Sequence, residues 1–130
     1  MFDIIRIISG RRYEILGLLR GELQPSEISL KLGITRQGVE RHLNILNSYL
    51  LVNKLKRNGR VYYKLSVYGE FLFQTINDLN EKFITKIRDD YYSEKNRIYN
   101  LLINGEIDRD RYDSMVNELR SSYRKYFGLI

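Results

Sequence analysis

The sequence predicts a mainly α fold with one small β-hairpin, an α+β chain in which a compact head precedes long helices. Gly and Pro residues cut the first 69 residues into short segments, whereas the 35 residues from Glu70 to Asn104 contain neither. An Asn-Gly pair at positions 58–59 separates two β-prone runs, which is a strong signal for a hairpin. We therefore expect a head over residues 1–68 and a helical extension over residues 69–130.

Composition excludes several classes of protein. The chain has 130 residues, 43% of them hydrophobic and 29% charged, which is typical of a globular protein. It has no Cys and one His, so it can form neither a disulfide nor a thiolate or multi-His metal site. The apolar runs are too short to span a bilayer, and the N-terminus lacks the pattern of a signal peptide. We expect a cytoplasmic protein without a membrane segment.

The positive charge is concentrated in the head. The net charge is +6, and residues 1–66 hold 12 Lys and Arg against 5 Asp and Glu, whereas residues 67–130 hold 10 against 11. A basic field on one part of a chain attracts polyanions such as nucleic acid. A solvated surface that is basic by chance is the alternative.

Three helices are predicted in the head. Residues 11–20 carry an apolar cluster consistent with an amphipathic helix. Pro25 suits the first turn of a second helix, because its missing N–H has no partner there. Gly33 then provides a C-terminal stop, and Thr35 can cap a third helix over about residues 36–49. A helix, a tight turn containing Gly and a second helix form the helix-turn-helix motif.

A hairpin follows the third helix. Asn58 and Gly59 both tolerate the positive φ of a type I′ turn, and β-prone residues flank them on both sides. Alternation along the second strand predicts one face with Val61, Tyr63 and Leu65 and the opposite face with Arg60, Tyr62 and Lys64. Ser66 can cap the next helix.

The extension contains two apolar seams of the kind that bury against another helix. The first contains Leu72, Ile76, Leu79, Phe83 and Ile87, and the second contains Tyr112, Val116, Leu119, Tyr123 and Tyr126. Residues 70–104 predict one helix about 50 Å long, or two helices with a break near residues 88–92. Asn104-Gly105 should end this region, and Asp108 should cap the last helix. The many Tyr residues could pack in a core or line a small-molecule pocket, and no effector is predicted.

Several short motifs follow one another in a characteristic order. They are Arg-Tyr-Glu-Ile-Leu at 12–16, Ser-Glu-Ile at 26–28, Leu-Gly-Ile-Thr-Arg at 32–36, Val-Glu-Arg-His-Leu at 39–43, Arg-Asn-Gly-Arg at 57–60 and Val-Tyr-Tyr-Lys-Leu-Ser at 61–66. Over about residues 9–73, the chain thereby resembles the winged helix-turn-helix transcription regulators of the ArsR-like group. The resemblance implies double-stranded DNA as the partner and dimerisation through the helix after the wing. The paired Cys of the ArsR metal motif is missing, so metal sensing does not carry over.

The third helix has the two faces that a recognition helix needs. On a helical wheel, Val39 shares a core-facing stripe with two Leu residues, whereas Gln37, Arg41 and Asn44 point the opposite way. Arg pairs with guanine, and Gln or Asn pairs with adenine, in the major groove. Glu40 could accept from cytosine or pair with Arg36 one turn away. A solvated polar face is the alternative.

Basic residues also surround the hairpin tip, where they suit contact with phosphates or with the neighbouring minor groove. Protection of an edge strand by Lys is the alternative. The full predicted DNA-binding set is Thr35, Arg36, Gln37, Glu40, Arg41, Asn44, Lys54, Lys56, Arg57, Asn58, Gly59 and Arg60.

The sequence therefore predicts a sequence-specific DNA-binding regulator that forms a homodimer through its two seams. The alternatives are an architectural DNA-binding protein, a protein-interaction module that keeps the fold without binding DNA, and a monomer whose helical hairpin folds back on the head. The sequence contains no Ser–His–Asp order, Walker loop or dinucleotide fingerprint. We therefore predict no catalytic residue, no metal and no cofactor, and we interpret His42 as a half-buried structural residue.

Overall fold

The computed structural model describes all residues, 1–130, and contains six α-helices, one antiparallel hairpin and a final 3₁₀ turn. In chain order the elements are α1 (Ile4–Ile8), α2 (Arg11–Leu18), α3 (Pro25–Leu32), α4 (Arg36–Ser48), β1 (Val52–Arg57), β2 (Arg60–Leu65), α5 (Val67–Ile103), α6 (Arg109–Ser122) and the 3₁₀ turn (Arg124–Tyr126). The predicted α+β fold class is confirmed. No sequence pattern predicts α1, which is only five residues long. None of the helices combines the length and apolar composition needed to cross a membrane.

The helix ends in the head follow the predicted local chemistry. Pro25 is the first residue of α3, and the backbone N–H of Gln24 donates to Oε1 of Glu27 at 3.0 Å. Gly33 ends α3 with a φ of +65°, in the left-handed region that Gly adopts without strain. The hydroxyl oxygen of Thr35 accepts from the backbone N–H of Gly38 at 3.0 Å, so Thr35 caps α4 as predicted.

The hairpin turn also forms as predicted. Asn58 and Gly59 have φ values of +51° and +75°, which match a type I′ turn. Tyr63 and Leu65 are buried on one face of β2, whereas Lys64 on the other face is exposed. An isolated β-bridge joins Leu23 to the outer edge of β2. The backbones of Leu23 and Tyr63 exchange hydrogen bonds of 2.8 and 3.0 Å.

The chain divides into two compact units, residues 1–76 and residues 77–130. The core of the first unit contains Ile8, Ile15, Leu16, Leu19, Ile28, Val39, Leu43, Leu46, Leu51, Val52, Tyr63 and Leu65. Leu72, Phe73 and Ile76 from the first turns of α5 pack against this core. The start of α5 therefore contributes to the core of the first unit.

The α5 helix is continuous from Val67 to Ile103, without the break considered near residues 88–92. Its 37 residues correspond to a length of about 55 Å. The hydroxyl of Ser66 accepts from the backbone N–H of Gly69 at its start, and Gly105 follows its end with a φ of +74°. The carboxylate of Asp108 accepts from the backbone N–H of Arg111 at 2.7 Å, which confirms the predicted cap of α6.

Aromatic side chains hold the second unit together. Tyr91 is buried, and its ring contacts those of Tyr123 and Phe127 at centroid distances of 5.2 and 5.9 Å. Tyr99 on α5 also contacts Tyr112 on α6. The later part of α5 and α6 therefore pack on each other, and packing accounts for these Tyr residues.

Candidate nucleic-acid interface

The two faces of α4 are divided as the helical wheel predicts. Val39 and two Leu residues on the same stripe are completely buried in the core of the first unit. Gln37, Arg41 and Asn44 are all exposed on the opposite face. Because the core fixes the rotation of α4 about its axis, these three polar side chains are presented outward from a rigid element.

Arg36 and Glu40 lie along one edge of this polar face and form an ion pair. Nε of Arg36 donates to Oε1 of Glu40 at 3.3 Å, which is the pairing considered from the sequence. Both side chains are exposed, so the pair adds little to stability. Burial raises the pKa of the Tyr63 phenol, and the nearby carboxylate of Glu40 raises it further.

A groove of about 460 Å³ separates α4 from the hairpin. It is lined by Gln24, Pro25, Ser26, Arg36, Glu40, Asn44, Lys54, Gly59, Arg60, Val61 and Tyr63. The structure thus brings six of the predicted residues together around one concavity, three from α4 and three from the hairpin. Gln37 and Arg41 lie outside the groove on the outer face of α4, and Lys56 and Asn58 are exposed elsewhere on the hairpin.

One basic residue of the hairpin pairs with an acidic residue between α2 and α3. Both terminal nitrogens of Arg57 donate to the carboxylate of Glu22 at 2.7 Å, which is a two-point ion pair. No signal in the sequence predicts this contact, because the two residues are 35 positions apart. Arg57 is therefore held against the segment between α2 and α3, whereas Arg60 across the turn forms no ion pair.

A cluster around His42 was not predicted from the sequence. His42 is half-buried on the side of α4 that faces α2, and its Nδ1 lies 3.5 Å from Nη1 of Arg12. Nε of Arg12 also donates to the backbone carbonyl of Ile7. Burial lowers the pKa of His42, and the positive charges of Arg12, Arg41 and Arg11 lower it further. The imidazole is therefore neutral at neutral pH.

The helix-turn-helix of α3 and α4, followed by the hairpin, defines the first unit as a winged-helix domain. Models of protein families and curated protein sequences gave no match to this chain. The comparison with solved structures, in contrast, found several similar proteins. The chain is similar to HlyU from Vibrio cholerae N16961, with a TM-score of 0.53 and 28% identity over 58% of this chain and 86% of that one. The transcriptional regulator HlyU from Vibrio vulnificus CMCP6 matches with a TM-score of 0.52 and 28% identity, over 58% and 82%.

A third similar structure comes from Mycobacterium bovis. It is the homodimeric winged helix-turn-helix DNA-binding domain of Mb0332, a possible ArsR-family transcriptional regulator. It matches with a TM-score of 0.54 and 27% identity, over 62% of this chain and 80% of that fragment. The predicted resemblance to ArsR-like winged-helix regulators is therefore confirmed.

Proposed function

We propose that this chain is a transcription regulator that binds double-stranded DNA sequence-specifically, with α4 as its recognition helix. The observation that carries the proposal is the exposed face of Gln37, Arg41 and Asn44 beside a basic hairpin, within a winged-helix domain. The similarity to HlyU, a transcriptional regulator, and to a winged-helix DNA-binding domain supports it. Such a regulator acts where the chromosome lies, which in a prokaryotic cell is the cytoplasm.

The outer face of α4 would supply base recognition. The guanidinium of Arg41 matches N7 and O6 of guanine, and the amides of Gln37 and Asn44 match N7 and N6 of adenine. Thr35, Arg36 and Glu40 lie at the start and edge of the same face, where they can orient these side chains or contact neighbouring groups. Each good two-point contact with a base contributes about 1–3 kcal/mol of discrimination.

The hairpin would act as the wing and contact the sugar–phosphate backbone. Lys54, Lys56 and Arg60 are exposed and form no ion pair, so their charges are available to phosphates. Arg57 is neutralised by Glu22 and would contribute fully only after exchanging this partner for a phosphate. The turn at Asn58 and Gly59 places Arg57 and Arg60 at the hairpin tip, whereas Lys54 lies further along β1.

A selection from a random duplex pool, followed by competition binding, tests this proposal. We expect an enriched site that the chain prefers by at least about 10³ over random duplex. Arg41→Ala should relax the base preference, whereas Lys54→Ala should weaken all duplexes about equally. Steep salt dependence without an enriched site would instead indicate an architectural DNA-binding protein, and binding without salt dependence would indicate that the fold serves another partner.

We further propose that the regulator acts as a homodimer. A two-fold dimer places two recognition helices about 34 Å apart, one turn of DNA, and so reads a pseudo-palindromic site. Leu79 and Phe83 of the first seam remain exposed on α5, which supports a further helix packing there. The homodimeric state of the Mb0332 domain supports the same arrangement.

A further inference from the structure

The α4 helix has two flanks, and only one of them borders the hairpin. Arg36 and Glu40 line the groove on the hairpin side. His42 is about 200° from Glu40 around the helix axis and contacts Arg12 of α2. Arg41 lies between Glu40 and His42 on the exposed face. The outer face of α4 is thus bordered by the hairpin on one side and by the N-terminal end of α2 on the other.

The flank that borders α2 is strongly basic. Four residues form this flank, and we call them the α2-side cluster: Arg11, Arg12, Arg41 and His42. All three guanidinium groups lower the pKa of the His42 imidazole. The only carboxylate that pairs with the cluster is that of Glu14, 2.8 Å from Nη1 of Arg11. Arg41 forms no ion pair and is exposed. Three guanidinium groups with one paired carboxylate leave a net positive charge on this flank, which attracts an anion from outside.

The dimensions of DNA indicate that a backbone phosphate would lie beside the α2-side cluster. The major groove is about 12 Å wide, and a helix with its side chains has a diameter of about 10–12 Å. A recognition helix in this groove therefore has a sugar–phosphate backbone close to each flank. The hairpin can serve only one of the two backbones, since it lies on one side of α4.

We propose that the α2-side cluster is a second phosphate-binding site, which contacts the DNA backbone on the flank of α4 opposite the hairpin. This inference rests on the proposed DNA-binding function. Arg11 is exposed and donates to phosphate oxygens directly, whereas Arg41, which reads a base from the outer face of α4, adds positive charge beside the site. Arg12 is half-buried and tied to the carbonyl of Ile7, so it is a positioning residue that also supplies charge.

His42 completes the site as a donor. An Arg guanidinium can only donate, so the contact from Arg12 makes Nδ1 of His42 the acceptor. The proton of the neutral ring is then on Nε2, which can donate to a phosphate oxygen. A bound phosphate also favours the charged imidazolium, because its negative charge offsets those of the three Arg residues.

The salt dependence of binding to a random-sequence duplex tests the site, because phosphate contacts do not depend on sequence. Arg11→Gln should weaken binding and reduce the slope of log K against log salt by about 0.9 per bound chain. The matched control is Arg109→Gln on α6, because Arg109 is also exposed and also pairs with an acidic residue, Asp113 at 3.3 Å. This control should leave the slope unchanged.

Removal of the competing carboxylate should have the opposite effect. Glu14→Gln frees Arg11 for contact with a phosphate. At low salt, we therefore expect this variant to bind the duplex more tightly than the unaltered chain does. Asp113→Asn removes the same charge from the control pair and should have a much smaller effect. Equal effects of the two variants would overturn the proposed site.

The single His provides an independent readout. Because the chain has one His, its ring resonances in NMR belong to His42. The pKa of His42 should lie below 6.5 in the free chain and rise when the duplex binds. A pKa that stays low in the complex would overturn the site.

The failure of each proposal has its own signature. An unaltered chain that shows no salt-dependent duplex binding would refute the proposed function itself. An unaltered chain that binds with a steep slope, while Arg11→Gln behaves like Arg109→Gln, would refute only the second phosphate site. Circular dichroism of each variant would show that the fold is retained.

Discussion

Single residues in the head adopt conformations that sequence patterns do not reveal. Leu50 follows the end of α4 with a φ of +63°, a value that costs a residue with a Cβ about 1–2 kcal/mol. Its side chain is 63% exposed, so it recovers little of this cost by packing. The same left-handed conformation follows α3 at Gly33, where it carries no strain.

We therefore expect Leu50→Gly to increase the free energy of unfolding. The relief of strain exceeds the extra flexibility of Gly in the unfolded chain, and the net gain should be about 0.5–1 kcal/mol. Urea denaturation would measure it. Leu50→Ala keeps the Cβ and should show no such gain, and a gain as large for Ala would refute the strain argument.

The lowered pKa of His42 makes stability depend on pH. Burial and the nearby Arg residues keep the folded-state pKa below the unfolded value of 6.5, so the unfolded chain binds more protons in this range. The stability present above pH 6.5 is therefore lost as the pH falls through the folded-state pKa. Thermal melting between about pH 7.5 and 5.5, above the range of ordinary carboxylates, should show this loss. His42→Gln should flatten the profile, and an unchanged slope would contradict the assignment to His42.

At the scale of elements, local chemistry made the helix ends and the turn predictable. The roles of Gly33, Thr35 and Asp108 depend only on residues within one helical turn. The turn at Asn58-Gly59 is similarly local.

Contacts between distant elements were not predictable from the sequence. The Arg57–Glu22 ion pair and the Arg12–His42 contact join residues 35 and 30 positions apart. Nothing in the sequence near either residue specifies such a partner. For this reason the sequence could indicate the outer face of α4 and the basic hairpin, but not the α2-side cluster.

The contact of α5 with Leu51, just before β1, and with Leu65 at the end of β2 depends on the absence of a side chain at Gly69. A Cβ at this position would lie 2.1 Å from the backbone oxygen of Leu51 and 3.1 Å from the Leu65 side chain. Because the obstacle is backbone, it cannot be relieved by a side-chain rotation. We expect Gly69→Ala to destabilise the chain by about 3 kcal/mol, at the upper end of overpacking effects.

Chemical denaturation of Gly69→Ala would measure this loss. The matched control is Gly21→Ala, because a Cβ at Gly21 meets no atom within 4 Å. The control should change stability by no more than about 0.5 kcal/mol. If Gly69→Ala were equally mild, α5 would be able to move away from the hairpin at little cost.

For the molecule as a whole, the seam pattern predicted which residues seek apolar partners but not which partners they find. The first seam is divided, because Leu72 and Ile76 pack against the core of the first unit. In the second seam, Tyr112 and Tyr123 contact α5 within the second unit. A helix can bury the same stripe against its own chain or against a second copy, so spacing alone cannot distinguish the two. Leu79 is the seam residue left most exposed, at 60%.

The homodimer is therefore best tested at Leu79. A two-fold interface would contain every substitution twice, so Leu79→Asp places two carboxylates among apolar groups and should shift the chain from dimer to monomer in analytical ultracentrifugation. Leu30→Asp is the control, because Leu30 is 85% exposed on α3 outside both seams, and it should leave the dimer intact. Loss of the dimer should also weaken binding to a duplex with two half-sites far more than binding to one half-site, since the second contact becomes independent of the first. A dimer that survives Leu79→Asp would show that the exposed part of the first seam is not the subunit contact.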